Sequence, residues 1–468
     1  MSRCSVRAAN ETVIGLSAVP HADIGVTARQ VRMPLGRAWA MIGVLSALFV
    51  VSMVDRFALG LLVEPLKRDL GVSDVQLGFL FGSAFAIFYG AITIPLARLA
   101  DRGNRLQLIF FAVILWSACT ILSGFATSFL MLVLLRIGLA VGEAALTPAT
   151  YSLIGDALPP NRRTIGGAIF NAFGMAGASG AYMIGSAAIS FTHAVQHAGH
   201  FVDFREWQAV FIIIGLPGLV LALILAAVGR EPARTAAAHD VGAATFGDVV
   251  RYARSQGWLY PGLFLGAGCT VLGTNGFLAW TPTYLSRAYG MSIIDAGRVF
   301  GSYNFITFIA ASIIVPFIGA WIGRRRPDGV ILVGVACAAL STIFCVTAVL
   351  QPSPSLFLVC TFAGLFFAVG GASNAISSIH MFTPSRMRAT LTALMLICLT
   401  TIALGVAPPL AGLLSSQFGS GKAALGVGLG LVAAFGGSMA VLLLFAARKR
   451  VLRYLAASQD EHAINAMS

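Results

Sequence analysis

The chain has 468 residues, of which 58% are hydrophobic and only 10% charged, with a mean hydropathy of +0.87. A soluble domain carries roughly 25% charged residues, so a water-soluble enzyme or binding module is excluded and a polytopic membrane protein is expected. The formal net charge of +13 does not imply a nucleic-acid partner. The arginines recur in short loops between apolar runs instead of gathering on one face.

Residues 1–37 are polar, carry arginines and lack an apolar core, which reads as a cytoplasmic tail and not a cleaved signal. Twelve apolar runs follow, each long enough to cross ~30 Å of hydrocarbon. They cover about 38–62, 75–97, 106–125, 129–154, 164–191 and 207–229, then 258–284, 294–322, 329–350, 355–380, 389–413 and 422–447. The expected fold is an all-α membrane protein of twelve transmembrane helices in two pseudo-symmetric six-helix bundles, 38–229 and 258–447. Residues 230–257, with the texture GREPARTAAAHDVGAA, read as a flexible cytoplasmic linker, and 448–468 as a cytoplasmic C-terminal tail.

Lys and Arg are unevenly divided between the two sides. The odd-to-even connections hold only Lys67, Arg68, Arg205, Arg287, Arg298 and Lys422, whereas the tails and even-to-odd loops hold nearly all the rest. The positive-inside rule therefore puts both termini in the cytoplasm, and a multi-pass protein of a bacterial inner membrane is expected. The halves also repeat weakly. IPLARLADRGNR after span 2 aligns with VPFIGAWIGRRR after span 8, and AVGEA (140–144) with AVGGA (368–372). Two six-helix halves related by parallel repetition suit a secondary transporter, with its substrate site between them near the midplane. The second copy has Ile322, Gly364 and Gly371 where the first has Asp101, Arg136 and Glu143.

Four charged residues lie within spans, Asp55 and Arg56 in span 1 and Arg136 and Glu143 in span 4. An ionised group deep in a bilayer costs at least ~2.5–3.5 kcal/mol, so it faces protein or a water-filled path. Helical rise puts Asp55 and Arg136 each ~10 Å below the outer surface, and Glu143 two turns beyond Arg136 on the same face. The functional reading assigns proton coupling to Asp55 and Glu143, and an anionic substrate group to Arg56 and Arg136. A carboxylate whose arginine can be engaged by another anion is a proton switch. A permanent salt bridge pinning spans 1 and 4 is the structural alternative. The C-terminal half offers neutral polar groups, of which Asn275, Tyr303, Asn304 and Asn374 are candidate substrate contacts, with Thr274, Ser373 and Ser377 beside them and many phenylalanines around them. Charge on one wall and apolar surface on the other suit an amphiphile with an acidic head.

The segment ARLADRGNR (97–105) resembles the G-x-x-x-D-R-x-G-R-R loop of the major facilitator superfamily, with Ala97 in place of the first glycine and the later glycine displaced to Gly103. That resemblance implies a cytoplasmic gate in which Asp101 caps the start of helix 11. Arg102 and Arg105 belong to the same cluster, and Arg102 could pair with Asp156 at the end of span 4. LLRIGLAVGEA (134–144) matches the superfamily's helix 4 pattern. The stretches DRFALGLLVEPLKRDLGVSDVQLGFLFGSAFAIFYG, IPLARLADRGNR and GEAALTPATYSLIGDALPPNRRT are similar to the spinster branch, over most of residues 50–185 and little of the second half. That likeness implies a lysolipid-like cargo, and head-group or coupling roles for Asp55, Arg56, Arg136 and Glu143. The anion:cation symporter branch, which carries sugar acids, shares the Asp-Arg and Arg…Glu pattern. Drug–proton antiporters carry a Gly- and Pro-rich helix 5, and the chain lacks proline between Pro160 and Pro217.

His193, His197 and His200, with Asp203 nearby, have a spacing that would allow a metal, although polar loops collect histidines freely, and no metal is expected. GFLFG (78–82) fits close helix contact. None of HExxH, GxSxG or paired CxxC is present, which argues against an enzyme, a disulfide framework or a zinc site. No cofactor is expected. The sequence predicts a monomeric, proton-coupled secondary transporter of an anionic, amphiphilic substrate working by alternating access. Uptake of small organic acids is the alternative.

Overall fold

The computed structural model describes residues 33–467 apart from 202, 235–245, 327 and 420–422. The expectations for residues 1–32, the centre of the linker and Lys422 lie outside the described residues. All regular structure among the described residues is helical.

Among the described residues, twelve helices are long and apolar enough to cross a membrane. They are α1 (Leu35–Leu61), α2 (Asp74–Arg102), α3 (Arg105–Ser123), α4 (Phe129–Ala157), α5 (Pro160–His197) and α6 (Glu206–Val228), then α7 (Leu259–Tyr289), α8 (Ile293–Gly323), α9 (Gly329–Ala348), α10 (Pro354–Ile379), α11 (Thr390–Gln417) and α12 (Ala424–Arg450). An even number of crossings returns the chain to the side where it began. We call that side terminal and the opposite one distal. The stretch read as a linker includes regular structure. It carries a helix over Phe246–Ser255 whose Tyr252 hydroxyl donates to Phe382 O at 3.2 Å. The last helix likewise continues past the expected boundary, to Met467.

Local sequence explains where the helices loosen. Pro148 has no N–H to give Ala144 O, so α4 breaks directly after Glu143. There Ala145 N–H bonds Gly142 O, and regular bonding resumes from Ala149 to Ala145. The α-helical part of α1 ends at Phe57 and tightens to a 3₁₀ turn over Ala58–Leu61. In α11 a π-helical turn occupies Thr401–Val406, just before Pro408 and Pro409. Asp55, Arg56 and Glu143 therefore sit at helix irregularities, where backbone groups are free for side chains.

Among apolar lipid chains, apolar burial gives little drive for helices to associate. Close approach and polar contacts do that work. The halves meet in this way near the distal side. A Cβ on Gly78 of α2 would lie 2.6 Å from Pro408 O of α11, so the GFLFG stretch makes the close helix contact expected of it. Ser83 Oγ donates to Gly405 O at 2.5 Å, Thr283 Oγ1 to Gly60 O at 3.3 Å, and the Tyr182 hydroxyl to Leu278 O. Arg287 of α7 clamps two acids of the facing half. Its Nε lies 2.5 Å from Glu64, and Nη1 and Nη2 lie 2.8 and 2.9 Å from the two Asp74 oxygens. Among the described residues, the ion pairs that cross between halves centre on this one arginine. The connections thus close the distal side over a cavity.

Candidate functional site

Below that seal lies a cavity of about 340 Å³ between the halves. Its N-terminal wall includes Arg56, Phe57, Met175 and Ala178. Its C-terminal wall is mostly apolar, with Val271, Leu278, Phe308, Leu365 and Leu399, and with Thr274, Asn275, Ser312, Ser373 and Thr400 as neutral polar groups.

Arg56 is the cation at this wall. Its Nη2 lies 2.7 Å from Glu143 Oε2, and its guanidinium stacks over Phe85 and Tyr89, 4.2 and 5.1 Å from the ring centres. The two rings fix the guanidinium plane and add cation–π attraction. Glu143 has a wholly buried side chain directly behind Arg56. Its Oε1 has no hydrogen-bond partner among the described residues, and neither does Arg56 Nε. The pair is therefore half-satisfied, with donor and acceptor capacity left for a ligand or a proton.

Arg136 does something else. Its Nη1 donates to the backbone oxygen of Asp55 at 2.9 Å and its Nη2 to that of Arg56 at 3.4 Å. It caps the carbonyls freed where the α-helical part of α1 ends, where a cation is favoured by the helix dipole. Its side chain is buried in a separate void of about 10 Å³ beside Thr120, Ser123 and Leu139. Arg136, expected to face an anionic substrate, does not line the cavity in this structure, and Nη1 and Nη2 each donate to a backbone carbonyl of α1. The expected side-chain pairing of Asp55 with Arg136 is also replaced. Both Asp55 carboxylate oxygens are buried without a hydrogen-bonding partner among the described residues, and Arg136 reaches the Asp55 backbone instead.

Only Asn275 of the four candidate contacts in the C-terminal half lines the cavity, and its Nδ2 bonds Val271 O on its own helix at 3.0 Å. Tyr303 is 56% exposed and leans on Phe362 with ring centres 5.5 Å apart. Asn304 is buried between α8 and α5, donating to Ser179 O at 3.3 Å. Asn374 is buried inside the C-terminal bundle, donating to Val330 O at 2.6 Å. Being polar within a span fits interhelical hydrogen bonding as well as ligand contact, and for these three the structure places the side chain away from the cavity. Sequence reasoning missed the apolar liners Leu396, Leu399 and Leu404 of α11. The proline pair after the π-turn was the available signal.

At the terminal side the expected gate is rearranged. Arg105, not Arg102, holds Asp156, at 2.5 Å, and it also holds Glu231 at 2.7 Å and Ser152 Oγ at 2.9 Å. Arg105 is the fully buried member of the loop, whereas Asp101 and Arg102 are exposed and make no ion pair among the described residues. Asp101 makes no hydrogen bond to the described part of α11. His193 pairs with Glu206, Nε2 to Oε1 at 3.3 Å, and no group of three or more metal-ligating side chains occurs among the described residues.

Residues 44–401 match the family model of the Major Facilitator Superfamily. The chain belongs to that superfamily. An MFS-type efflux pump of Mycolicibacterium smegmatis is 29% identical, over 85% of this chain and 89% of its own. A probable galactarate/D-glucarate transporter of Bacillus subtilis is 26% identical over 56% and 60%. The sphingosine-1-phosphate transporter SPNS2 of Danio rerio is 26% identical over 53% and 47%. Among solved structures, a bacterial homologue of the human lysosomal transporter Spinster superposes with a TM-score of 0.80 at 23% identity, covering 89% of this chain and 98% of that one. The likeness read from residues 50–185 thus extends, as a shared fold, over 89% of the chain. The chain is a multi-pass membrane transporter of this superfamily and not an enzyme.

Proposed function

We propose that the protein is a proton-coupled secondary transporter of an anionic amphiphile. The observation that carries this reading is Arg56. It is a cation on the wall of a largely apolar cavity, held by one buried carboxylate and still carrying an unpaired donor. An acidic head group arriving at Arg56 competes with Glu143 for the guanidinium. The displaced carboxylate, buried without a counter-charge, then takes up a proton. Asp55 is the second proton-coupling candidate, with both its oxygens buried and unpaired. The substrate's tail would lie against Leu278, Phe308, Leu365 and Leu399, and Asn275 would contact its polar region.

The terminal side is cytoplasmic in this reading, because it carries most of the arginines. The contacts of Arg287, Gly78 and Thr283 then seal the outer side, and the cavity opens inward. Alternating access requires those contacts to break while Asp101 engages α11. The protein functions as a monomer in the membrane of a bacterium.

Relatives supply a second reading. The named cargoes galactarate, D-glucarate and sphingosine-1-phosphate are all acids, which supports an anion-binding arginine but leaves the tail open. Thermal shift of the purified protein with lysophosphatidylglycerol and with galactarate separates the two. Stabilisation by the lysolipid alone is expected, and stabilisation by galactarate alone would replace the amphiphile with a small organic acid.

A further inference from the structure

A second cavity, comparable in size to the central one, lies away from the interface between the halves. A groove of about 410 Å³ opens on the outer face of the N-terminal half, where α3 begins and α6 ends on the terminal side. Its apolar lining is Leu106, Phe110, Phe111, Leu225 and Ala226, and its polar lining is Asn104, Gln107, Arg230 and Glu231.

The chemistry of the polar lining is one-sided. Glu231 is already neutralised, with Oε1 on Arg105 at 2.7 Å and Oε2 accepting from Leu106 N–H at 3.1 Å. Asn104 spends its Oδ1 capping Gln107 N–H at 2.9 Å, which leaves its amide N–H₂ to donate. Gln107 and Arg230 are exposed, and Arg230 makes no ion pair among the described residues. The groove therefore presents a free guanidinium and two amide donors, with no unneutralised carboxylate. Its apolar wall is continuous with a surface that faces hydrocarbon, since Phe111 is 67% and Leu223 65% exposed on the same two helices. One of these candidate spans begins at Arg105 and the other ends at Val228, beside the groove.

We propose that this groove binds one anionic phospholipid of the terminal-side leaflet. Its phosphate sits against Arg230, Gln107 and Asn104, and one acyl chain lies between Phe111 and Leu225. Basic recesses between transmembrane helices at the headgroup level suit anionic lipids for this reason, because charge attraction and chain burial act together. A soluble phosphate would satisfy the donors but leave the apolar wall unused. The bound lipid would abut the turn at Gly229–Glu231. Through Glu231 and Arg105 it would brace the 2–3 loop against Asp156 at the end of α4.

Native mass spectrometry of the full-length protein, released from micelles doped with phosphatidylglycerol or phosphatidylcholine, tests this. The expected result is retention of one phosphatidylglycerol in preference to phosphatidylcholine. Arg230→Ala should weaken that retention about fivefold, and Ala226→Trp, which fills the groove without touching its charge, should abolish it. Unchanged melting temperatures would show that both variants remain folded. Equal retention of the two lipids by the unmodified protein, retention unaffected by either substitution, or full displacement by millimolar inorganic phosphate would each overturn the proposal.

Discussion

At the wall of the central cavity the N-terminal half sets Arg56 against Glu143 at 2.7 Å, while the C-terminal half sets Asn275, bonded to its own helix, among leucines and phenylalanines. The sequence repeat makes the contrast sharper. Gly364 occupies the position matching Arg136, and a Cβ there would meet Cys345 Sγ at 2.5 Å. One copy of the repeat uses this helix position to cap a neighbouring helix with a charge, and the other uses it to bring two helices close. Duplicated helices can keep a packing plan while only one copy carries ionic chemistry. The cost of charges in lipid favours confining them to one half, and in the proposed function that half would sense charge while the other supplies shape.

The comparison can be broken first at Glu143. Glu143→Gln should reduce proton-driven net transport in reconstituted vesicles to the background of protein-free vesicles, with substrate exchange retained. Coupled transport at the normal rate would remove Glu143 from the mechanism. Arg56→Ala comes next. It strands a buried carboxylate, so it should cost ~3–5 kcal/mol of stability, and it should abolish the preference for acidic over neutral amphiphiles in a binding assay.

Arg287→Ala tests whether the distal seal is ionic. Partial exposure discounts these bonds, so a shift of ~1–2 kcal/mol towards distal opening is expected. Labelling of a cysteine placed at Ala279, beneath the seal, by an impermeant maleimide should then quicken roughly five- to thirtyfold. The neutral cavity wall of the C-terminal half should respond more weakly. Asn275→Ala should lower substrate affinity about fivefold, the value of one hydrogen bond. Asn374→Ala should instead cost ~1–3 kcal/mol in thermal unfolding by orphaning Val330 O, with affinity unchanged.

Much of this architecture was legible from the chain because its signals are one-dimensional. Span length is fixed by bilayer thickness, and the charged quartet stands out because charge is rare there. Which arginine meets which carboxylate was not legible. Helical rise places Asp55 and Arg136 at one depth, but rotation about each helix axis, and the loosening of α1 after Phe57, decide that Arg136 reaches backbone carbonyls while Arg56 takes Glu143. The same blindness to rotation explains Tyr303, Asn304 and Asn374, which are polar and within spans yet turned away from the cavity. In the 2–3 loop, burial selected Arg105 over Arg102 as the partner of Asp156. That choice depends on Glu231, a residue 126 positions further along the chain.

The account turns on one event, the exchange of Glu143 for a substrate anion at Arg56. Proton uptake by the purified protein on adding lysophosphatidylglycerol, followed with a pH indicator in weakly buffered solution, reads that event without requiring transport. The account predicts uptake of about one proton per bound anion, and none in Glu143→Gln at the same occupancy. Binding without proton uptake in the unmodified protein, or equal uptake in the variant, would contradict it.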